Sequence, residues 1–555
     1  MAVQSQSGYD YFDGNNVKAL ISPVGNHFWD YAERKFFIPK DSTTGTAFAF
    51  TTWIGGKKND TLHVAAERFR QSGADYLPGP IGDISTYEPS EYAKWDRVWK
   101  ITREEVQIWL SNPSVNPVPQ SVIDWPVHGD LSVGQAQYLA PFVDVNGDGQ
   151  YNPTDDFDYP VFKGDQAVYF MFHDGWIHTE SGGRSLGVEI HGMAYGFNCP
   201  EDTALNHALF MEYSMINRSE NTYDDCYFGM WADMDLGNPG DDYIGSDPMR
   251  NMFFQYQGDN YDENNYRENV PTQGIRILDG IEMDQDNLDN LPSVGAFGNY
   301  NGFGMDDGNT DNEKLGLSHF MSYANGIGPV SDPQVAADYY NFMQGRWKDG
   351  TQLTHSGNGY DPANLDAVPA RFMFTDSSDL GYYSTYGIDT MSNPIWDEAS
   401  AGNASGDRRG TGSTGPFTFE PNSTKSITIA FVFAQKMNDR LGSVDKMKTY
   451  SDHIQNLYDA GETECGPFEN DFALGQDEMV QSKIEIFPNP TSSSFTVAGI
   501  QGWAELNIRS IDGQLIRTES VSENTPIDIS QLASGPYLLN LNTQGTVSHT
   551  TLIKQ

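Results

Sequence analysis

Apolar residues in this chain fall mostly in short runs separated by Gly, Pro, Asn and Asp, a texture that predicts strands joined by turns. Ala47–Ile54 and Leu62–Ala66 are the first such runs. Val168–Phe172, Gly187–Phe197, Leu209–Ile216, Tyr227–Trp231, Ala370–Phe374 and Ser426–Ala434 follow, the last with the β-branched and aromatic content of a central strand. Leu209–Ile216 and Tyr227–Trp231 read as an antiparallel pair. Helical spacing is rare. Thr102 and Glu105 form a capping box ahead of Val106, Trp109 and Leu110, and Asn112-Pro113 ends that helix. Val444, Met447, Tyr450, Ile454 and Leu457 recur at three- and four-residue spacing and predict an amphipathic helix that packs on the body.

These patterns predict an all-β protein: a large β-sandwich-like body with long loops and few helices, and a small C-terminal immunoglobulin-like sandwich. Residues 1–165 are read as a β-rich region and 166–464 as the central sandwich body, with a loop-rich insertion at about 258–360 where Asn, Asp and Gly dominate. The acidic, turn-rich stretch 465–483 is read as a linker. Beyond it, from 484 to 555, seven short strand candidates are divided by turn signals, among them the hairpin turn Asp512-Gly513.

Charge narrows the partners. With 77 acidic against 33 basic side chains, the formal charge of -44 repels nucleic-acid phosphates and anionic membrane surfaces. No run of apolar residues is long enough to cross a membrane as a helix. The opening Met1 to Asp10 lacks the apolar core of a signal peptide, so export requires a signal already removed. Three cysteines allow one bridge, for which Cys199 with Cys226 is the expected pair.

The C-terminal residues resemble the type A C-terminal sorting domain of proteins exported by the bacterial type IX secretion system. The matching pieces stand in order: Ile486 and Phe487 before Pro488-Asn489-Pro490, the turn at Gly513, Ile527 to Ser530, then Gly535 and Tyr537 with Leu538, and finally Thr551 to Lys554. Pro536 departs from the usual aliphatic residue after the glycine. The resemblance implies passage across the outer membrane by the type IX machinery and release from, or display on, the cell surface. More loosely, Trp53 to Gly56, Asp144 to Pro160, Trp231 to Asp247 and Gly406 to Arg409 resemble segments of large secreted Bacteroidota proteins that carry this tail.

The best chemical signal is an Asx-rich loop. Asp144, Asn146 and Asp148 alternate, Gly149 permits the turn that lets their oxygens converge, Gln150 offers a backbone carbonyl, and Asp155 falls where an EF-hand supplies its last carboxylate. That set suits a structural calcium ion, although Asp replaces the usual Glu and no amphipathic helices flank the loop; a metal-free Asx turn is the alternative. Asp233, Asp235, Asp241, Asp242 and Asp247 form a second candidate cation cluster, with a solvated acidic loop as its alternative.

No catalytic set emerges from the sequence. Glu180, Glu189, Glu212 and Asp233 lie on or beside expected strands, but nothing sets their separation for glycosidic cleavage. Gly183 to Gly187 matches a nucleophile elbow literally while lacking the strand before it and the helix after it. His173, Asp174, His178 and His191 lack the helical spacing of a zinc site. Loop aromatics such as Trp176, Tyr261, Tyr339, Tyr340, Trp347 and Tyr360 leave glycan or cell-surface polymer binding open. The expected function is a calcium-stabilised, secreted or surface-displayed binding or adhesive protein; the alternative is an extracellular glycosidase or lyase.

Overall fold

The computed structural model describes residues 8–555 except 84–88, 264, 294–299, 380–382, 389–394, 471, 473–484, 499–502, 511–514, 523–524 and 544–545. The chain divides into two compact units, 1–472 and 473–555.

Two large antiparallel sheets form the core of the first unit, beside a small four-stranded sheet of Asp10–Phe12, Lys18–Ile21, Phe36–Phe37 and Gly45–Ala47. The larger runs Asp242–Asp247, Met252–Gln257, Asn269–Asp279, Thr424–Met437, Ala208–Asn217, Val188–Gly196, Gln166–His173 and Leu77–Pro78, with Trp99–Thr102 also paired to Gln166–His173. The smaller runs His319–Ala324, Arg408–Phe419, Tyr223–Asp233, Ala49–Lys58 and Thr61–Ala65. Alternating side chains of the two sheets meet face to face, as a sandwich requires. Tyr213 and Phe228 have ring centroids 6.0 Å apart, Phe50 and Phe431 5.1 Å, and Phe253 and Phe320 5.0 Å. Tyr213 and Phe228 also correct the expected pairing: Leu209–Ile216 and Tyr227–Trp231 lie in opposite sheets and face each other across the core. Periodicity identifies strands, but it does not say whether two of them bond edge to edge or pack face to face.

Residues 1–165 do not stand apart from the body. Ala49–Lys58 lies between Tyr223–Asp233 and Thr61–Ala65, so the smaller sheet is incomplete without it. Nor is 258–360 a simple insertion, because Asn269–Asp279 is an interior strand of the larger sheet. Its Pro271, Gly274 and polar residues disguise it, yet Gly274 is where the helix Arg440–Ala460 comes close: a Cβ there would lie 3.0 Å from the Met447 sulfur. That helix buries Val444, Met447 and Ile454 on the outer face of the sheet, the face its spacing predicts. The helix Arg103–Ser111 begins with the Thr102–Glu105 capping box and buries Val106, Trp109 and Leu110. Ala370–Phe374 forms no strand; its Phe372 makes a single bridge to Phe320.

The disulfide joins Cys199 to Cys465, not Cys199 to Cys226. Cys226 is a buried free thiol within Tyr223–Asp233, where burial pushes its pKa well up. Sequence proximity favoured the wrong partner because strand order, not chain distance, brings the hairpin after the last helix to Cys199. The body therefore continues beyond the expected linker start, with Phe468 and Phe472 buried and Arg103 donating to the Pro467 carbonyl at 2.9 Å.

The second unit is a small two-sheet sandwich. Glu485–Phe487, Ser494–Ala498 and Ile527–Asp528 form one sheet; Leu515–Ser522, Trp503–Ser510, Gly535–Thr543 and Thr546–Lys554 form the other. Phe495, Val497, Leu506, Ile508, Leu539, Leu541 and Leu552 fill the space between. Asn489 of the Pro488-Asn489-Pro490 run accepts the Ile553 amide at 2.8 Å, and the Tyr537 hydroxyl donates to the Ala533 carbonyl at 2.7 Å. Gly535 opens its strand at φ +148°, and Lys554 near the chain end is buried. Pro536 sits opposite Ile553 at the very start of the strand, where a missing amide is tolerated. The turn at Asp512-Gly513 lies outside the described residues.

Candidate metal centre

The smaller sheet assembles an acidic pocket from strand register alone. Asp233 ends Tyr223–Asp233 and stands directly opposite Arg409 at the start of Arg408–Phe419. Side chains two residues apart along an extended chain share a face, so Asp235 follows Asp233 on one side while Asp407 precedes Arg409 on the other. Carboxylate oxygens of Asp233, Asp235 and Asp407 consequently lie within 4.8 Å of one another, the one such trio among the described residues. They border a pocket of about 380 Å³ whose other walls are Phe48, Phe69, Gln71, Pro239, Gly240 and Arg409.

Charge compensation is incomplete. Arg409 makes two 2.7 Å bonds to Asp332 and longer contacts to the trio, 3.3 Å to Asp233 Oδ2 and 3.5 Å to Asp407 Oδ2. Arg34 stays 3.9 Å from Asp235. Asp233 is only 4% exposed, yet its Oδ1 has no hydrogen-bond partner among the described residues, and neither has Asp407 Oδ1. Burial, followed by the charge of Asp235, raises the Asp233 pKa well above the usual carboxylate range. Burial also pushes Asp235 up to about 6, against the opposing pull of Arg34. Buried oxygens without donors, on three converging carboxylates, are the arrangement a hard cation would relieve.

The remaining members of the sequence-expected cluster go elsewhere. Asp242 accepts from Gln255 at 2.6 Å and Gln257 at 3.2 Å inside the larger sheet. Asp247 pairs with Arg250 at 2.8 Å and Lys448 at 3.3 Å. Asp241 accepts from Asn238 at 3.0 Å. Sequence reasoning placed Asp233 and Asp235 together but missed Asp407, whose only signal is the Asp-x-Arg spacing that pairs with Asp-x-Asp once the strands are aligned.

In the loop from Asp144 to Asp155 the carboxylates turn toward their own backbone. Asp144 accepts the Gly147 amide at 2.7 Å, the Asp148 amide at 3.2 Å and the Gly149 amide at 2.7 Å. Asn146 accepts from the Asp148 amide at 2.9 Å, and Asp148 from the Gln150 amide at 2.8 Å. Asp155 lies beside Asn152, and the loop's base is held by buried Asp158, which accepts from Val145 and Asn152 at 2.8 Å each.

Of the four acids considered for glycosidic cleavage, Asp233 alone borders the pocket. Glu180 meets Arg68 at 3.5 Å and is pushed up to about 7 chiefly by burial. Glu189 is buried beneath His191 and Arg218 and, despite that burial, held down to about 2 by them. Glu212 pairs with Lys163. Both ring nitrogens of His178 face carbonyl oxygens, Val64 at 2.7 Å and Asp174 at 3.0 Å, so this histidine is a buried structural donor rather than a metal ligand. Tyr339, Tyr340 and Trp347 belong to the core, whereas Tyr261 is 47% exposed.

A two-sheet body bearing an open acidic pocket, followed by a small terminal sandwich, defines the class. Residues 485–555 match the secretion system C-terminal sorting domain family, and this terminal unit is the type IX sorting domain. The protein is therefore exported to the cell surface or beyond, and its tail engages the type IX machinery. Among the described residues no helix is long and apolar enough to cross a membrane. No curated protein matches the chain. Among solved structures, a polysaccharide lyase aligns over 76% of this chain and 37% of its own at 6% identity with a TM-score of 0.18. The chain thus spans well under half the length of that structure, and a likeness of this size carries no argument about activity.

Proposed function

We propose that the exported body is a divalent-cation-dependent binding or adhesive protein, with calcium held by Asp233, Asp235 and Asp407 and the pocket beside it as the ligand seat. The observation that carries this reading is the unpartnered Oδ1 of Asp233, buried within the trio. An all-oxygen donor set suits calcium better than zinc or copper, and three carboxylates leave several of its six to eight positions for water or ligand. The loop of Asp144, Asn146, Asp148, Gln150 and Asp155 takes a second, structural calcium in this reading, fastening the segment between Phe142 and Tyr159.

Calorimetric calcium titration of the full chain tests it. Asp233→Asn and Asp407→Asn should each abolish one binding event and leave the fold intact by circular dichroism. Calcium uptake unchanged in both variants would remove the trio from the account.

One observation favours a second reading, an enzyme acting on polysaccharides: Asp233 and Asp235 share a pocket and both hold protons at higher pH than ordinary carboxylates. Release of soluble fragments from a polysaccharide panel, lost in Asp235→Asn, would establish it in place of the binding role.

A further inference from the structure

We infer that the cation pocket takes a neutral glycan, one sugar ring chelating the ion through two adjacent hydroxyls while its apolar face lies against Phe69 and Phe48. This inference rests on the calcium reading above and adds the ligand's chemical class.

Three features select that class. The first is one-sided coordination. Asp233 and Asp235 come from one strand end and Asp407 from its neighbour, and the pocket opens beside them, so a cation held there keeps positions that only water or an entering ligand can fill. Adjacent ring hydroxyls are neutral hard-oxygen donors with the spacing to occupy two such positions.

The second is the wall. Phe48 and Phe69 are half-buried, with centroids 5.7 Å apart in an edge arrangement, and both border the pocket. Phe69 packs against Trp231 at 5.1 Å and carries the Arg409 guanidinium 5.2 Å from its ring centroid. A ring held in this way is a prepared surface for the C–H face of a sugar. Exposed Gln71 adds an amide able to donate and accept at the rim. At about 380 Å³ the pocket lies at the lower end of the range of small-ligand sites, roughly 300–1,000 Å³.

The third is charge balance, which excludes polyanions. Among the described residues the one guanidinium bordering the pocket, Arg409, is matched by Asp332, and the three carboxylates are matched by a divalent ion together with Arg34. No unmatched positive charge remains to draw a carboxylated or sulfated sugar. The formal charge of -44 on the chain opposes such polymers at longer range.

Affinity electrophoresis of the full chain tests the inference, in gels containing mannan, a neutral polymer with adjacent ring hydroxyls, or polygalacturonate, each with calcium or with EGTA. Mannan with calcium should retard the chain, EGTA should abolish the retardation, and polygalacturonate should leave mobility unchanged. Phe69→Ala and, separately, the exposed-site Gln71→Ala should weaken mannan binding, the former more than tenfold, while calcium uptake by calorimetry stays as in the parent. Asp407→Asn should lose both. Calcium uptake without retardation by mannan, or retardation by polygalacturonate alone, would overturn the inference and leave the calcium reading standing. Absence of calcium uptake would sink both.

Discussion

The loop around Asp144 and the pocket around Asp233 use the same residue types to opposite physical effect. In the loop, Asn146 and Asp148 are exposed and Asp144 is half-buried, and each of the three accepts at least one backbone amide within the same turn. The loop is a hydrogen-bonded structure before any ion arrives. In the pocket, three carboxylates converge from two strands, two of them nearly buried, and oxygens of Asp233 and Asp407 lack donors. Desolvation and mutual repulsion leave that arrangement under electrostatic stress, which is relieved by a proton or by a cation. A motif strong in sequence can thus mark a self-satisfied turn, while a convergence of unsatisfied buried carboxylates has almost no local signature.

The sharpest way to break the comparison is to remove ligands from each region and measure calcium affinity. Asp407→Asn or Asp233→Asn should abolish the tighter calcium event, which for a ligand that had been at 100 times its Kd removes about 2.7 kcal/mol of linked stability. Asp144→Ala with Asp148→Ala should leave that event in place and affect only the weaker one, expected in the range of about 10⁻⁴–10⁻³ M for extracellular modules. If the loop variants eliminate the tighter site instead, the assignment of driving force to the pocket fails.

A smaller effect of opposite sign concerns the ion-free protein. Asp235 is raised from 3.8 to about 6, and Asp233 is raised too, so the folded state holds these protons more tightly than the unfolded chain. Their contribution is most favourable below about pH 4 and is lost as pH rises toward 6 and beyond. In EGTA, the melting midpoint of the parent should therefore fall between pH 4 and 7 more than that of Asp235→Asn. At pH 7 this variant should be the more stable protein by on the order of 1–3 kcal/mol. Calcium should reverse the ranking. A destabilised Asp235→Asn in EGTA at pH 7 would mean that the carboxylate is better satisfied than its surroundings indicate.

Much of the fold can be read from periodicity because burial on alternate faces leaves a local trace. Val168–Phe172 and Ser426–Ala434 lie within observed strands, and Gly187–Phe197 spans the observed strand Val188–Gly196 with one residue to spare at each end. The Thr102–Glu105 capping box and the Val444–Met447–Ile454 stripe mark observed helices because caps and i, i+3 contacts are local as well. What local reading misses is pairing. Asn269–Asp279 is a central strand in spite of its proline, glycine and polar side chains, since neighbours on both edges supply the burial its own sequence does not advertise. Cys199 finds Cys465 across 266 residues for the same reason. Asp407 joins Asp233 and Asp235 only through the register of Tyr223–Asp233 with Arg408–Phe419, and no spacing along the chain encodes that register.

The smallest effect belongs to the loop and tests the other half of the comparison. Asp144 accepts three backbone amides, so Asp144→Ala leaves three donors to find water. Because the turn is exposed, water can replace most of what is lost, and the cost in EGTA should be about 1 kcal/mol or less, below that of an equivalent buried acceptor. Asp158 is that equivalent: it is fully buried and accepts from Val145 and Asn152 at 2.8 Å each, so Asp158→Ala should cost about 1–3 kcal/mol and lower the melting midpoint with calcium absent. Chemical denaturation of both variants in EGTA separates them. Equal costs would mean that water does not replace the lost carboxylate and that the turn's amides contribute to stability as a buried set does.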